Sequence, residues 1–161
     1  MRKLADGNPI WEISASEWDS TIAVNLRGTY LCTRLVLSGM TERRASKIAN
    51  ISSVSWSGHP FNAAYAASKA AIVSFTRSVA ASAGRYDINV NAVAPGMTRT
   101  GVVGRMNEVT SSMPVDEAAV PLQRINEPED VAATVAFLVS AGSRNISGKL
   151  ITVAGGANGS L

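Results

Sequence analysis

Apolar side chains recur at three- to four-residue spacing over two long stretches and run almost unbroken over three short ones. In residues 14–40 the apolar positions Trp18, Ile22, Leu26, Tyr30, Leu31 and Leu35 form one stripe, as on an amphipathic helix. Ser14 with Glu17, and Ser16 with Asp19, offer overlapping capping pairs at its start, and Gly39 is the predicted stop. Residues 63–83 predict a second long helix, rich in alanine and serine, with Ile72, Phe75 and Val79 on one face and Gly84 closing it. So many small side chains let another helix approach closely, which predicts helix packing within or between subunits. A third helix opens at 127–130, with Pro128 in its first turn and Glu127, Glu129 and Asp130 at the positive end of its dipole. Val131, Val135 and Leu138 are its stripe.

Residues 47–52, 87–94 and 149–153 are short, β-rich runs and read as buried strands. Strand, helix, strand, helix, strand predicts an α/β fold with right-handed crossovers, a parallel sheet and helices on both faces. Ligands of such sheets sit beyond the carboxyl ends of the strands. Ser53, the Pro95-Gly96 turn and the Gly155-Gly156 turn all follow predicted strand ends, so a site is expected along that edge.

Composition narrows the reading without changing it. The 161 residues are 46% hydrophobic and 17% charged, which fits one globular domain over 1–161. The formal charge is +3, but the basic residues are scattered and no basic stripe interleaved with aromatics predicts nucleic-acid binding. One cysteine, Cys32, leaves no disulfide framework and points to a reducing compartment. The lone His59 has no cysteine or histidine companions, so no metal site is expected. No stretch has the apolar length of a secretory signal or a bilayer span, and a cytoplasmic protein is the simplest reading.

The chemistry concentrates in residues 50–69, NISSVSWSGHPFNAAYAASK. Tyr65 and Lys69 are four apart and share a helix face, so both can act on one small molecule. A phenol ionises at a pKa of about 10, and a neighbouring ammonium favours the phenolate and draws that value towards neutrality. A serine at the preceding strand end can hydrogen-bond the same substrate oxygen; Ser53 is the first candidate and Ser52 the second. The three form a proton-transfer device for interconverting an alcohol and a ketone, and since they supply no electrons, the hydride must come from a cofactor.

With VNLRG at 24–28, NISS at 50–53, YAASK at 65–69, NAVAPG at 91–96 and PEDV at 128–131 followed by Gly148, nearly the whole chain resembles the short-chain dehydrogenase/reductase family. The resemblance implies an incomplete Rossmann-like three-layer fold and a nicotinamide cofactor, NAD or NADP. It implies a small alcohol or carbonyl substrate and a homo-oligomer formed through the two long helices. Asn25 would complete a proton relay by supporting Lys69, Ser53 would orient the substrate oxygen and Tyr65 would be the acid/base. Lys69 would tune Tyr65 and bind the nicotinamide ribose. Pro95, Gly96, Thr98 and Thr100 would contact the cofactor, residues 101–124 would cover the substrate, and Trp56, His59 and Met97 would line the pocket.

The family's Gly-rich turn, Thr-Gly-x-x-x-Gly-x-Gly, has no match here, nor does the acidic or basic selector of NAD against NADP. Ala154 stands where family members often carry an acidic residue. The resemblance therefore implies a chain that starts after the family's fourth strand and leaves the 47–52 strand at an exposed, apolar edge prone to association. The alternative reading is an inactive remnant that keeps the helix-packing surface and serves as an association module.

Overall fold

A computed structural model describes residues 8–101 and 117–157 of the chain. Its regular elements are α1 (Ala15–Ile22), α2 (Gly28–Arg43), β1 (Ser46–Ile51), α3 (Ala63–Ala83), β2 (Ile88–Pro95), α4 (Pro128–Leu138) and β3 (Leu150–Val153). The strands form one parallel sheet in the order β1-β2-β3, with Ile48 opposite Val90 and Val93 opposite Ile151. The expected α/β alternation and parallel sheet are therefore present. The strand bounds move by one residue: Asp87 sits in the left-handed region at φ 57° and turns the chain into β2, while Pro95 completes the strand beside Val153.

The first predicted helix differs in two ways. Ser14 and Glu17 do form a reciprocal capping box, but the helical run then widens into a π turn at Ala23–Arg27, where the Gly28 N–H reaches back five residues to the Ala23 carbonyl. Gly39 does not stop the helix. It continues to Arg43 and ends at Arg44, which is left-handed at φ 51°. An interior glycine costs only about 1 kcal/mol, and Leu37 and Met40 on either side of it pack onto the buried cluster beneath, holding the helix through that point.

β2 is the centre of the core, with Val90, Ala92, Val93 and Ala94 fully buried. On one face of the sheet Ile88 and Val90 pack with Val79, Ala80 and Ala83 of α3, flanked by Leu37, Met40, Ile48 and Phe75. The predicted α3 stripe is thus the core face, with Ile72 only 1% exposed. Polar residues inside this core are all used. Asn50 of β1 donates to Thr76 Oγ1 of α3 at 2.9 Å, and Asn91 of β2 joins the β3 lead-in by donating to the Ile146 carbonyl and accepting from the Lys149 N–H. Buried amides satisfied this way fix register without leaving an orphaned polar group.

The stripe predicted on the first long helix is buried only in part. Leu35 is 77% exposed and Val36 45%, with Tyr30 and Leu31 also open to solvent; Thr33 is the buried residue of α2. Tyr30 meets Phe75 edge-to-face at 6.5 Å, which joins α2 to α3, and Ile22 and Leu26 are part-buried, whereas Leu31, Leu35 and Val36 lie open to solvent. Ile72→Val should lower stability by about 1 kcal/mol in urea unfolding, because it removes a methylene from a filled core. Leu35→Ser should leave the unfolding midpoint unchanged and raise solubility.

Candidate active site

The parallel sheet aligns the carboxyl ends of β1, β2 and β3, and each delivers part of the site. β1 runs into Ser52 and Ser53, both buried, and then a 3-10 turn at Val54–Ser57. The two serines divide their work. Ser52 Oγ donates to the Lys69 carbonyl at 2.9 Å and so clips the strand end to α3. Ser53 Oγ accepts the Ser55 N–H at 3.2 Å, which leaves its own proton to give. This separates the two serine candidates by chemistry: Ser52 is a structural clip and Ser53 retains a free donor.

α3 begins after Asn62 and presents Tyr65 and Lys69 one turn apart. The Lys69 ammonium lies 5.3 Å from the centroid of the Tyr65 ring and donates to the Ile51 carbonyl at 3.1 Å. Burial of Lys69 lowers its pKa below the ordinary lysine value, since removal from water disfavours the charged form. The helix therefore brings the two residues together as their spacing predicts.

Asn25 sits in the π turn, a distortion that often marks functional positions. Its carbonyl accepts the Thr29 hydroxyl at 2.7 Å, and its side-chain amide donates to Ser68 Oγ at 3.1 Å. Ser68 in turn donates to the Tyr65 carbonyl at 2.7 Å. Asn25 is thus tied to the tyrosine-bearing turn of α3, and it shares with Lys69 a groove of about 440 Å³ between α2 and β1. Ser68 was not singled out from the sequence. Its signal was its place three residues after Tyr65, on the same side of the helix.

The turn after β2 is held from beneath. Gly96 donates to the Val153 carbonyl at 2.8 Å, and a Cβ on Gly96 would lie 2.8 Å from the Ala154 methyl, so the close approach of the two strand ends needs glycine there. Thr98 donates its hydroxyl to the Gly96 carbonyl at 3.0 Å. The buried Asn126 then zips this turn to the start of α4: its N–H donates to the Met97 carbonyl, its carbonyl accepts the Arg99 N–H, and its side chain donates to the Val153 carbonyl. Arg99 spans Glu117 and Glu127 at 2.7 and 2.8 Å. Thr100 is exposed at the end of this turn. Neither Asn126 nor Arg99 could be found from spacing, because their partners lie some twenty-eight residues away.

Gly155 and Gly156 take φ values of 59° and 90°, so the turn after β3 is the glycine turn that was expected. Trp56 and Met97 are exposed at the same edge, and His59 accepts the Phe61 N–H through Nδ1. The proposed substrate cover, 101–124, falls mostly outside the described residues. Among the described residues no group of histidine, cysteine and acidic side chains is gathered for a metal, and no helix is long and apolar enough to cross a membrane.

These residues fit one end of a nicotinamide dinucleotide better than the other. The Gly96–Thr98 turn and Lys69 offer hydroxyl, backbone and ammonium donors. The pyrophosphate needs an open helix N-terminus; α1 is closed by the Ser14–Glu17 box and α4 by the Glu127 and Asp130 carboxylates, and α3, which has no side-chain cap at Asn62, carries Tyr65 in its first turn.

Residues 3–158 match the family described as Enoyl-(Acyl carrier protein) reductase. The chain is similar to acetoacetyl-CoA reductase of Acinetobacter, 39% identical over 90% of this chain and 58% of that protein. It is similar to a probable short-chain type dehydrogenase/reductase of Bradyrhizobium diazoefficiens, 38% identical over 91% of this chain and 52% of that one. Among solved structures, a 3-oxoacyl-[acyl-carrier protein] reductase with bound NAD from Brucella melitensis superposes with a TM-score of 0.83 at 34% identity, covering 94% of this chain and 56% of that one. The chain thus spans somewhat more than half the length of the proteins it matches. With its parallel sheet, its tyrosine- and lysine-bearing helix and these relatives, the chain belongs to the short-chain dehydrogenase/reductase family.

Proposed function

We propose that the site is that of an NAD(P)-dependent oxidoreductase interconverting an alcohol and a ketone. The observation that carries this reading is Lys69 lying against the Tyr65 ring and bonded to the Ile51 carbonyl at the end of β1, the strand that Ser53 follows with a hydroxyl proton to give. Ser53 donates to the substrate oxygen and holds it against the phenol. Tyr65 gives a proton to that oxygen in reduction and removes one in oxidation. Lys69 keeps positive charge beside the ring and binds the ribose hydroxyls; Asn25, latched through Ser68, fixes where α3 stands. Pro95, Gly96, Thr98 and Thr100 hold the nicotinamide end, and the cofactor supplies the hydride. Relatives named as reductases of acetoacetyl-CoA and of 3-oxoacyl-acyl carrier protein support a carbonyl substrate for this site.

The exposed apolar stripe of α2, with Leu35 at 77%, supports a second reading for the chain alone: a module that associates with its own copies through α2 and α3. Fluorescence titration with NADH and NADPH, paired with sedimentation, separates the two. Saturable quenching supports the enzyme, whereas none at millimolar cofactor from an associated chain supports the module.

Where turnover is measured, Tyr65→Phe should reduce it by about 10²–10⁴-fold, the usual worth of a positioned acid/base, while the melting temperature stays within a few degrees. Retained activity would sink the acid/base role.

Lys69 also predicts a pH dependence. Its folded pKa lies below its ordinary value of 10.5, so between the two the unfolded chain binds more protons than the folded one. Stability contributed through this group therefore rises with pH in that window and levels off above it. Melting temperatures of the chain and of Lys69→Met, compared from about pH 8 to 11, should show the chain gaining on the variant as pH rises. Parallel curves would contradict the buried ammonium.

A further inference from the structure

The turn after β2 differs on its two sides. Thr98 and Asn126 form an isolated parallel bridge, in which the Asn126 N–H donates to the Met97 carbonyl at 2.9 Å and its carbonyl accepts the Arg99 N–H at 2.8 Å. Such a bridge uses the groups that flank Thr98, so the N–H and C=O of Thr98 itself point the opposite way. Neither has a partner among the described residues. The Thr98 side chain is spent instead: its single hydroxyl proton goes to the Gly96 carbonyl at 3.0 Å. The hydroxyl therefore has no proton for a ligand, while the backbone offers one donor and one acceptor side by side.

Asn126 decides that arrangement. It is 6% exposed, stands just before α4, and its side-chain amide donates to the Val153 carbonyl at 2.6 Å and to Thr98 Oγ1 at 3.5 Å. Both amide protons are thus used, one on the end of β3 and one on the turn after β2. The other support of the turn is Arg99, between Glu117 and Glu127. That side chain is 56% exposed, and exposed ion pairs hold little. The buried amide is the anchor.

We propose that Asn126 is a positioning residue for the nicotinamide end of the site, acting through Thr98. By tying the turn to β3 it presents the Thr98 N–H and C=O as a fixed donor and acceptor, the complement of a primary carboxamide. Thr98 meets the ligand through its backbone, and its hydroxyl belongs to the anchor. That a cofactor takes up this pair rests on the enzymatic reading above; how Asn126 holds Thr98 does not.

The test combines backbone amide exchange, followed by NMR in the 161-residue chain, with titration by reduced nicotinamide mononucleotide, which carries only the end that these residues fit. In the parent the Arg99 and Asn126 amides should be protected and the Thr98 amide should not. Asn126→Ala should melt within a few degrees of the parent, yet exchange the Arg99 amide at least about tenfold faster and bind the mononucleotide at least about tenfold more weakly. Arg99→Gln should change both by less than about twofold. An analogue with an acetyl group in place of the carboxamide has no N–H for the Thr98 carbonyl; the parent should bind it more weakly than the mononucleotide, and Asn126→Ala should lose that preference. If Asn126→Ala does not fold, Asn126→Ser, whose shorter side chain falls short of Val153, is read the same way. A protected Thr98 amide in the parent, unchanged Arg99 exchange in the variant, faster exchange with equal binding, an undiminished preference for the carboxamide, or an equal loss from Arg99→Gln would each overturn the proposal. A chain that shows the exchange pattern and binds no mononucleotide at about 10 mM upholds the hold of Asn126 on Thr98 and counts against the enzymatic reading instead.

Discussion

Parallel pairing of β2 with a strand on each side is the constraint from which the rest of the structure follows. The central strand of a parallel sheet buries both faces and both edges, which is why β2 is fully buried through Val90, Ala92, Val93 and Ala94. Parallel direction also forces every strand to end on the same side. Ser53 after β1, Gly96 after the Pro95 that ends β2, and the Gly155-Gly156 turn after β3 therefore meet along one rim although just over a hundred residues separate the first from the last. The close contact of Gly96 with Ala154 shows how tightly that rim is drawn.

On this frame α3 is held twice. Its inner face packs on β2 through Ile72, Val79 and Ala80, while its first turns are latched by hydrogen bonds: Ser52 to the Lys69 carbonyl, and Asn25 through Ser68 to the Tyr65 carbonyl. The π turn in the first helical run is part of the same device, because it lies where Asn25 must reach Ser68. The positions of Tyr65 and Lys69 are thus set by hydrogen bonds from other elements, the kind of support a preorganised site requires.

The same frame explains what is open. Removal of apolar surface from water stabilises at about 25 cal/mol per Å², and α2 still shows Leu31, Leu35 and Val36 to solvent while β1 shows Ile51. Leu31 and Leu35 of the stripe read from spacing prove to be surface of this chain. Periodicity reports that a face is apolar, and only packing reports what covers it.

The sequence by itself determined the order and kind of the elements, because strand and helix periods are local properties: α3 fell on residues 63–83 as predicted, and all three strands within a residue. It also determined the pairing on α3, since a four-residue spacing puts Tyr65 and Lys69 on one face wherever that helix lies. It misplaced the end of α2 at Gly39, where packing of Leu37 and Met40 outweighs a glycine's cost, and it could not show the π turn, whose displaced carbonyl is met by Thr29. Which serine keeps a free proton, what Asn25 holds, and that Asn126 and Arg99 secure the turn at Thr98 were decided by tertiary structure alone. Apart from the local bond of Ser53 to Ser55, each depends on a hydrogen bond between residues far apart in the chain, and such a bond leaves no trace in local spacing.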